Sequence, residues 1–205
     1  MRRITDYGGI AASIILIIFG AGALVMGLNG RSTVSDSLKK EQIVGTPDMT
    51  PSGIKTEAAK AGLTGITFPT CSVAGKPVND GARARCFASY MRIHALEATG
   101  GVPYAQMPHY ATADGKGTND AAAALQSNGR PVDNAARNVW VTETALTTAL
   151  NTSYLAEQIS LFGLVVGFAL LLSGIGFAIL AVGGALRNPE TAIAVLRHLR
   201  RPVVA

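Results

Sequence analysis

The chain is 205 residues long, enough for one domain or two small ones, yet its 48% hydrophobic content stands beside only 15% charged residues. Its formal charge of +5 comes mostly from the two ends, since the central segment 29–158 holds 12 Lys and Arg against 11 Asp and Glu. Nucleic-acid recognition needs a clustered basic face, so the charge excludes that partner class and reads as a membrane-surface signature.

Residues 1–7 open with Arg2 and Arg3, and Gly8 to Leu28 then runs GGIAASIILIIFGAGALVMGL without a charge. About 20 helical residues cross a hydrocarbon core of about 30 Å, so 8–28 is expected to be a transmembrane helix. A cleaved signal peptide begins similarly, but its apolar core spans about 7–15 residues and ends at an A-x-A-like site. This run is longer, and Met26-Gly27-Leu28-Asn29-Gly30 offers no such site. The expectation is an uncleaved signal anchor. Asn29-Gly30 then allows a bend, followed by a short stalk helix capped by Ser32 or Thr33.

Thr50-Pro51 reads as N-cap and first residue of a helix ending near Gly62, and Leu63 to Phe68 as an extended stretch leading to Cys71. Turn residues Gly75-Lys76-Pro77 and Asn79-Asp80-Gly81 precede a helix over Ala82 to Thr99, which places Cys86, Tyr90, Ile93 and Glu97 on one face. From Val102 to Val132 the chain carries Tyr104, Met107, His109 and Tyr110, then a polar, glycine-bearing stretch expected to be a flexible surface loop. Helical character returns at Asn134, with Val139, Leu146, Leu150 and Tyr154 in one stripe and Thr144, Thr148 and Thr152 on another face. No Gly or Pro interrupts it before Ile159 to Leu186, a second charge-free run. A continuous helix entering the membrane as a transmembrane segment over 159–186 is the simplest reading.

The basic residues flanking both runs, Arg2 and Arg3 before and Arg187, Arg197, Arg200 and Arg201 after, place both termini in the cytoplasm. The expected fold is therefore a mainly α membrane protein, with two transmembrane helices flanking a small α-rich extracytoplasmic domain, 29–158. Within the tail 187–205, Asn188-Pro189 resembles a helix start and Ala192, Val195, Leu196 and Leu199 share a face. A basic amphipathic helix on the anionic leaflet, with Arg197, Arg200 and Arg201 at the membrane surface, is expected there. Small residues Ala23 and Gly27 in the first span, and Gly163 and Gly167 in the second, permit close helix packing, within the chain or between copies.

Cys71 and Cys86 both fall in the segment placed outside, where thiols oxidise and stay oxidised. A structural disulfide is expected, its loop closure worth about 3 kcal/mol, against the alternatives of free buried thiols or a metal site that two cysteines alone serve poorly. His94 and Glu97, three apart on a helix, are the nearest approach to a metal pair, with His109 as a possible third group; no cofactor or metal is assigned to them. G-x-S-x-G and P-loop patterns are missing, and Trp140 is expected to pack rather than to bind. The spans contain no ionisable residue, and Ser13, Ser160 and Ser173 are their only hydroxyls, which argues against an ion pathway.

The segments KEQIVGTPDMTPSGIK (40–55), ARCFASYMRIHALEATGGVPYAQM (84–107) and ARNVWVTETALTTALNTSYLAEQ (136–158) resemble an uncharacterised group of actinobacterial two-pass membrane proteins. The resemblance covers most of the chain and implies the two-pass architecture, while carrying no catalytic or binding residue. Such proteins are sometimes labelled aromatic ring-opening dioxygenases. The extradiol form of that chemistry needs iron held by histidines and a carboxylate, and the chain offers only His94, His109 and the tail's His198. The leading expectation is an accessory, scaffold or interaction subunit that meets the lipid bilayer and another membrane or envelope protein, or a second copy of itself. An extracytoplasmic enzyme or small-ligand receptor using Tyr104–Tyr110 with His94 and Glu97, and an oligomeric pore, are the alternatives.

Overall fold

A computed structural model of the chain describes residues 2–183, with side chains from Tyr7 onward. The basic tail expected over 187–205, including Arg197, Arg200 and Arg201, lies outside the described residues. Among the described residues four α-helices carry the architecture: α1 (Arg2–Lys40), α2 (Pro51–Lys60), α3 (Gly81–Ala98) and α4 (Ala136–Val182). The chain divides into two compact units, one formed by the segments up to Ser32 and from Gln158 onward, the other by Thr33–Glu157.

α1 and α4 are each long and apolar enough to cross a membrane. Only 11% of the most apolar window of either helix is buried, whereas a core helix of a soluble protein would bury most of it. In the first unit the two helices meet along glycines. A Cβ on Gly20 would lie 2.8 Å from the Leu171 nitrogen, one on Gly27 2.8 Å from the Ser160 carbonyl oxygen, one on Gly167 2.9 Å from Leu24 and one on Gly174 2.8 Å from Ile17. Such distances require the absence of a side chain and bring the two helices into close van der Waals approach. Gly163 is less constrained, its nearest neighbour being the Ala23 carbonyl at 3.7 Å. Seven-residue spacing, Gly20 to Gly27 and Gly167 to Gly174, keeps each pair on one helix face.

The expected bend at Asn29-Gly30 does not occur: α1 continues unbroken to Lys40. Gly30 is tied to packing instead, because a Cβ there would collide with the Ser160 hydroxyl.

In the second unit, Thr50 caps α2 by accepting a hydrogen bond from the Gly53 N–H at 2.9 Å, with Pro51 at the first helical position. Asp80 caps α3 in the same way, accepting from the Arg83 N–H at 2.7 Å. Gly100 and Gly101, at φ 63° and 80°, turn the chain where α3 has ended. The stretch 63–68 runs without sheet pairing. The loop between the cysteines is tied to the segment before α2: Gly45 N–H donates to the Lys76 carbonyl, Gly75 N–H to Gly45 and Val78 N–H to Ile43. Val73, Val78 and Met49 are thereby buried with Leu38, Ile54, Cys86, Phe87, Tyr90, Ile93 and Leu150 in one core. A second cluster joins Ala95, Met107 and Trp140.

The glycine-bearing stretch after Tyr110 is more regular than its composition suggests. β1 (Gln126–Ser127) and β2 (Arg130–Pro131) pair antiparallel around Asn128-Gly129, whose φ values of 51° and 72° suit a two-residue hairpin turn. Tyr110 bridges both Thr118 and Asp133, drawing the loop back on itself.

Cys71 and Cys86 stand at disulfide distance, their Cα atoms 6.1 Å apart, and join the inter-cysteine loop to α3. Replacing both by Ser is expected to lower the stability of the Thr33–Glu157 unit by about 3 kcal/mol, the loop-closure term for this separation. Limited proteolysis should then cut within 70–86, and unchanged protease resistance would show that the bridge carries no such load.

Candidate functional site

Chemically distinctive side chains of the second unit gather where α3 packs on the 136–157 portion of α4. Gly81 sets the spacing at one end. Its N–H donates to the Glu157 carboxylate at 2.6 Å, and a Cβ there would lie 2.8 Å from the Tyr154 Cα. The Glu157 carboxylate thus sits at the N-terminus of α3, where the helix dipole favours negative charge.

Farther along α3, Tyr90 has no exposed surface and donates its phenol proton to the Cys71 carbonyl at 2.6 Å. Burial raises its pKa above the ordinary tyrosine value, and the Asp48 carboxylate pushes in the same direction. One turn later His94 lies between two carboxylates, with Nε2 3.0 Å from Asp48 and Nδ1 2.8 Å from Glu97. The Glu97 contact is a hydrogen bond, while the Asp48 oxygen is near Nε2 without the direction of one. The second Glu97 oxygen is buried without a partner among the described residues. Asp48, from the turn before α2, is the group that sequence spacing did not bring to His94.

His109 stands elsewhere, beside Tyr110, and its backbone N–H donates to Asn119. Tyr104 lies over the Arg137 guanidinium, 4.1 Å from its ring centre. Among the described residues no group of three or more His, Cys, Asp or Glu side chains is arranged to hold a metal ion. A groove of about 520 Å³ runs beside His94, walled by Met91, Ala95, Ala98 and Val139, with Asn138, Thr142 and Glu143 supplying its other polar groups. No residue of the aromatic stretch 104–110 lines the groove beside His94.

Trp140 is 1% exposed and donates its indole N–H to the Val102 carbonyl at 3.0 Å. Arg92 covers its ring at 4.6 Å, and Arg85 covers Tyr154 at 4.7 Å. Both stacks join α3 to α4 and hold the guanidinium planes in fixed orientations. Glu143, the one carboxylate of α4 between these aromatics, is only 5% exposed and lies 4.0 Å from Arg92. These cross-helix stacks have no signature in either helix alone, since each partner is remote in sequence.

Comparison with protein-family models, with curated proteins and with solved structures finds no match to this chain.

The Tyr90 environment gives a pH dependence with a definite sign. Because the folded protein favours the neutral phenol, its contribution is complete below the ordinary pKa of 10.0 and is lost as pH rises through the higher folded value. Spectrophotometric titration of the folded protein should show a phenolate component above that ordinary value that Tyr90→Phe removes. Superimposable titrations would mean that Tyr90 is not shielded.

Proposed function

We propose that this chain is a two-pass plasma-membrane protein with both ends in the cytoplasm and Thr33–Glu157 outside. It acts as an accessory or scaffold subunit that engages another membrane or envelope protein through the outer unit. The membrane part of this reading is supported by the two apolar helices with little buried surface, and the orientation by the arginines flanking both runs.

The observation that carries the interaction part is a charge-free exposed face on α4. From Asn138 to Ala156 the helix holds one charged residue, Glu143, and that one is buried. Val141, Ala145, Thr148, Thr152 and Leu155 recur at three- and four-residue steps and are all exposed, Val141 and Leu155 at 57% each. A solvated helix face normally carries charge, whereas depletion of charge marks the centre of a protein interface. Thr152 donates its hydroxyl to the Thr148 carbonyl, so its proton is satisfied within the helix.

A second reading, a small-ligand receptor, is favoured by the groove beside His94, whose apolar walls and few polar groups fit a compact organic molecule.

A photo-reactive amino acid at Val141 or Thr148, illuminated in native membranes, should give one discrete cross-linked protein. Thr148→Glu should remove that product without changing the stability of the unit, since the position is exposed. A diffuse set of random neighbours from both positions would contradict the interaction reading.

A further inference from the structure

A second groove, of about 390 Å³, runs along the opposite side of Glu143 from the one beside His94, with Arg85, Ser89 and Arg92 from α3 facing Thr144, Thr147 and Asn151 from α4. Arg85, Ser89 and Arg92 follow at four and three residues, so they form one exposed row on their helix. The two aromatic seats of the arginines, Trp140 and Tyr154, are fourteen residues apart, about 21 Å along α4 at ~1.5 Å per residue. The groove itself is lined by α4 from Glu143 to Asn151, about 12 Å at ~1.5 Å per residue, with Arg85 and Arg92 toward its two ends.

Its hydrogen-bonding capacity is unevenly spent. Arg92 has the Glu143 carboxylate at 4.0 Å, but among the described residues Arg85 has only the Tyr154 ring and no acceptor for its N–H groups. Stacking covers the guanidinium face and leaves its edge, the part that binds an oxyanion through two parallel N–H groups. The hydroxyls across the groove have the opposite need. Ser89 donates its proton to the Cys86 carbonyl, Thr147 to the Glu143 carbonyl and Thr144 to the Glu143 carboxylate. Each retains lone pairs that accept hydrogen bonds, and the Asn151 amide has no partner among the described residues. Glu143 also lines the groove, toward Arg92, whose guanidinium lies 4.0 Å from its carboxylate, so an anion is placed at the Arg85 end.

We propose that this groove binds a hydroxyl-bearing oxyanion, a polyol phosphate, with the phosphate on Arg85 and the ligand hydroxyls donating to Ser89 and Thr147. The site goes beyond the protein-interaction face of α4: Val141, Thr148 and Leu155 take no part in it, so either can fail alone. The same chemistry is presented by a glycerol-phosphate lipid headgroup and by a water-soluble polyol phosphate.

The test uses the full-length protein in maltoside micelles, which contain no phosphorus, with sn-glycerol 1-phosphate as probe and phosphorus NMR linewidth as readout. Wild-type protein should broaden the probe resonance saturably. Arg85→Gln should weaken this by about tenfold or more, the size of a lost charge-assisted hydrogen bond, while Arg83→Gln, whose side chain is already engaged by Asp80 and Asn79, should not. Asn151→Ala, on the facing wall, provides a second variant that leaves both stacks in place and should also weaken binding. In a parallel arm, micelles doped with phosphatidylglycerol or phosphatidylcholine identify the source. Selective broadening of the phosphatidylglycerol resonance supports a lipid headgroup, and broadening of the soluble probe alone supports a soluble polyol phosphate. Absence of broadening in both arms, or equal broadening by wild-type and Arg85→Gln proteins, overturns the proposal.

Discussion

Everything distinctive in the Thr33–Glu157 unit depends on how closely α3 approaches α4, and Gly81 is what permits that approach. A side chain at this position would occupy the space of the Tyr154 backbone and the Glu157 carboxylate. With the N-terminus of α3 seated there, the rest of the helix falls into register. Cys86 meets Cys71, Tyr90 meets the Cys71 carbonyl, and Arg85 and Arg92 reach the aromatics of α4. The disulfide and the Tyr90 hydrogen bond act at the same place, one limiting the unfolded chain and the other satisfying a buried carbonyl. The apolar core supplies the bulk of the drive, and these polar and covalent links select one arrangement of it.

Much of this plan is legible in the sequence. The two charge-free runs, the Thr50-Pro51 helix start and the helical face through Cys86, Tyr90 and Ile93 are local patterns, and local patterns are what periodicity and capping report. Gly30 shows the limit. Asn-Gly is a turn signal in isolation, yet here the helix runs through it because a neighbouring helix needs the room. Asn128-Gly129 is the converse case, a hairpin signal hidden within a stretch whose composition suggested an irregular loop. Asp48 beside His94, and the stacks of Arg85 and Arg92, were not legible because they join elements far apart in the chain. The glycines of the first unit fall between these cases. Ala23, Gly27, Gly163 and Gly167 stand out by their spacing, but Gly20 and Gly174 become informative only when the facing helix is known.

The α3–α4 surface of the second unit offers three chemically different strips. One is apolar and bordered by His94, one combines guanidinium edges with hydroxyl acceptors, and the outward face of α4 is almost uncharged. Glu143 separates the first two, buried where its charge is balanced by Arg92. The Asp48–His94–Glu97 cluster fastens the turn before α2 to α3.

The central claim is that Thr33–Glu157 lies outside the cell between two membrane-crossing helices, and the lysines provide a direct test. Lys39, Lys40, Lys55, Lys60, Lys76 and Lys116 all fall within that unit, and no lysine occurs in 1–32 or 158–205. A membrane-impermeant amine reagent applied to intact spheroplasts, followed by peptide mass spectrometry, reads the topology from the native sequence. Modification of Lys55, Lys60, Lys76 and Lys116 without permeabilisation is the predicted result. Modification of these lysines only after the membrane is opened would contradict it.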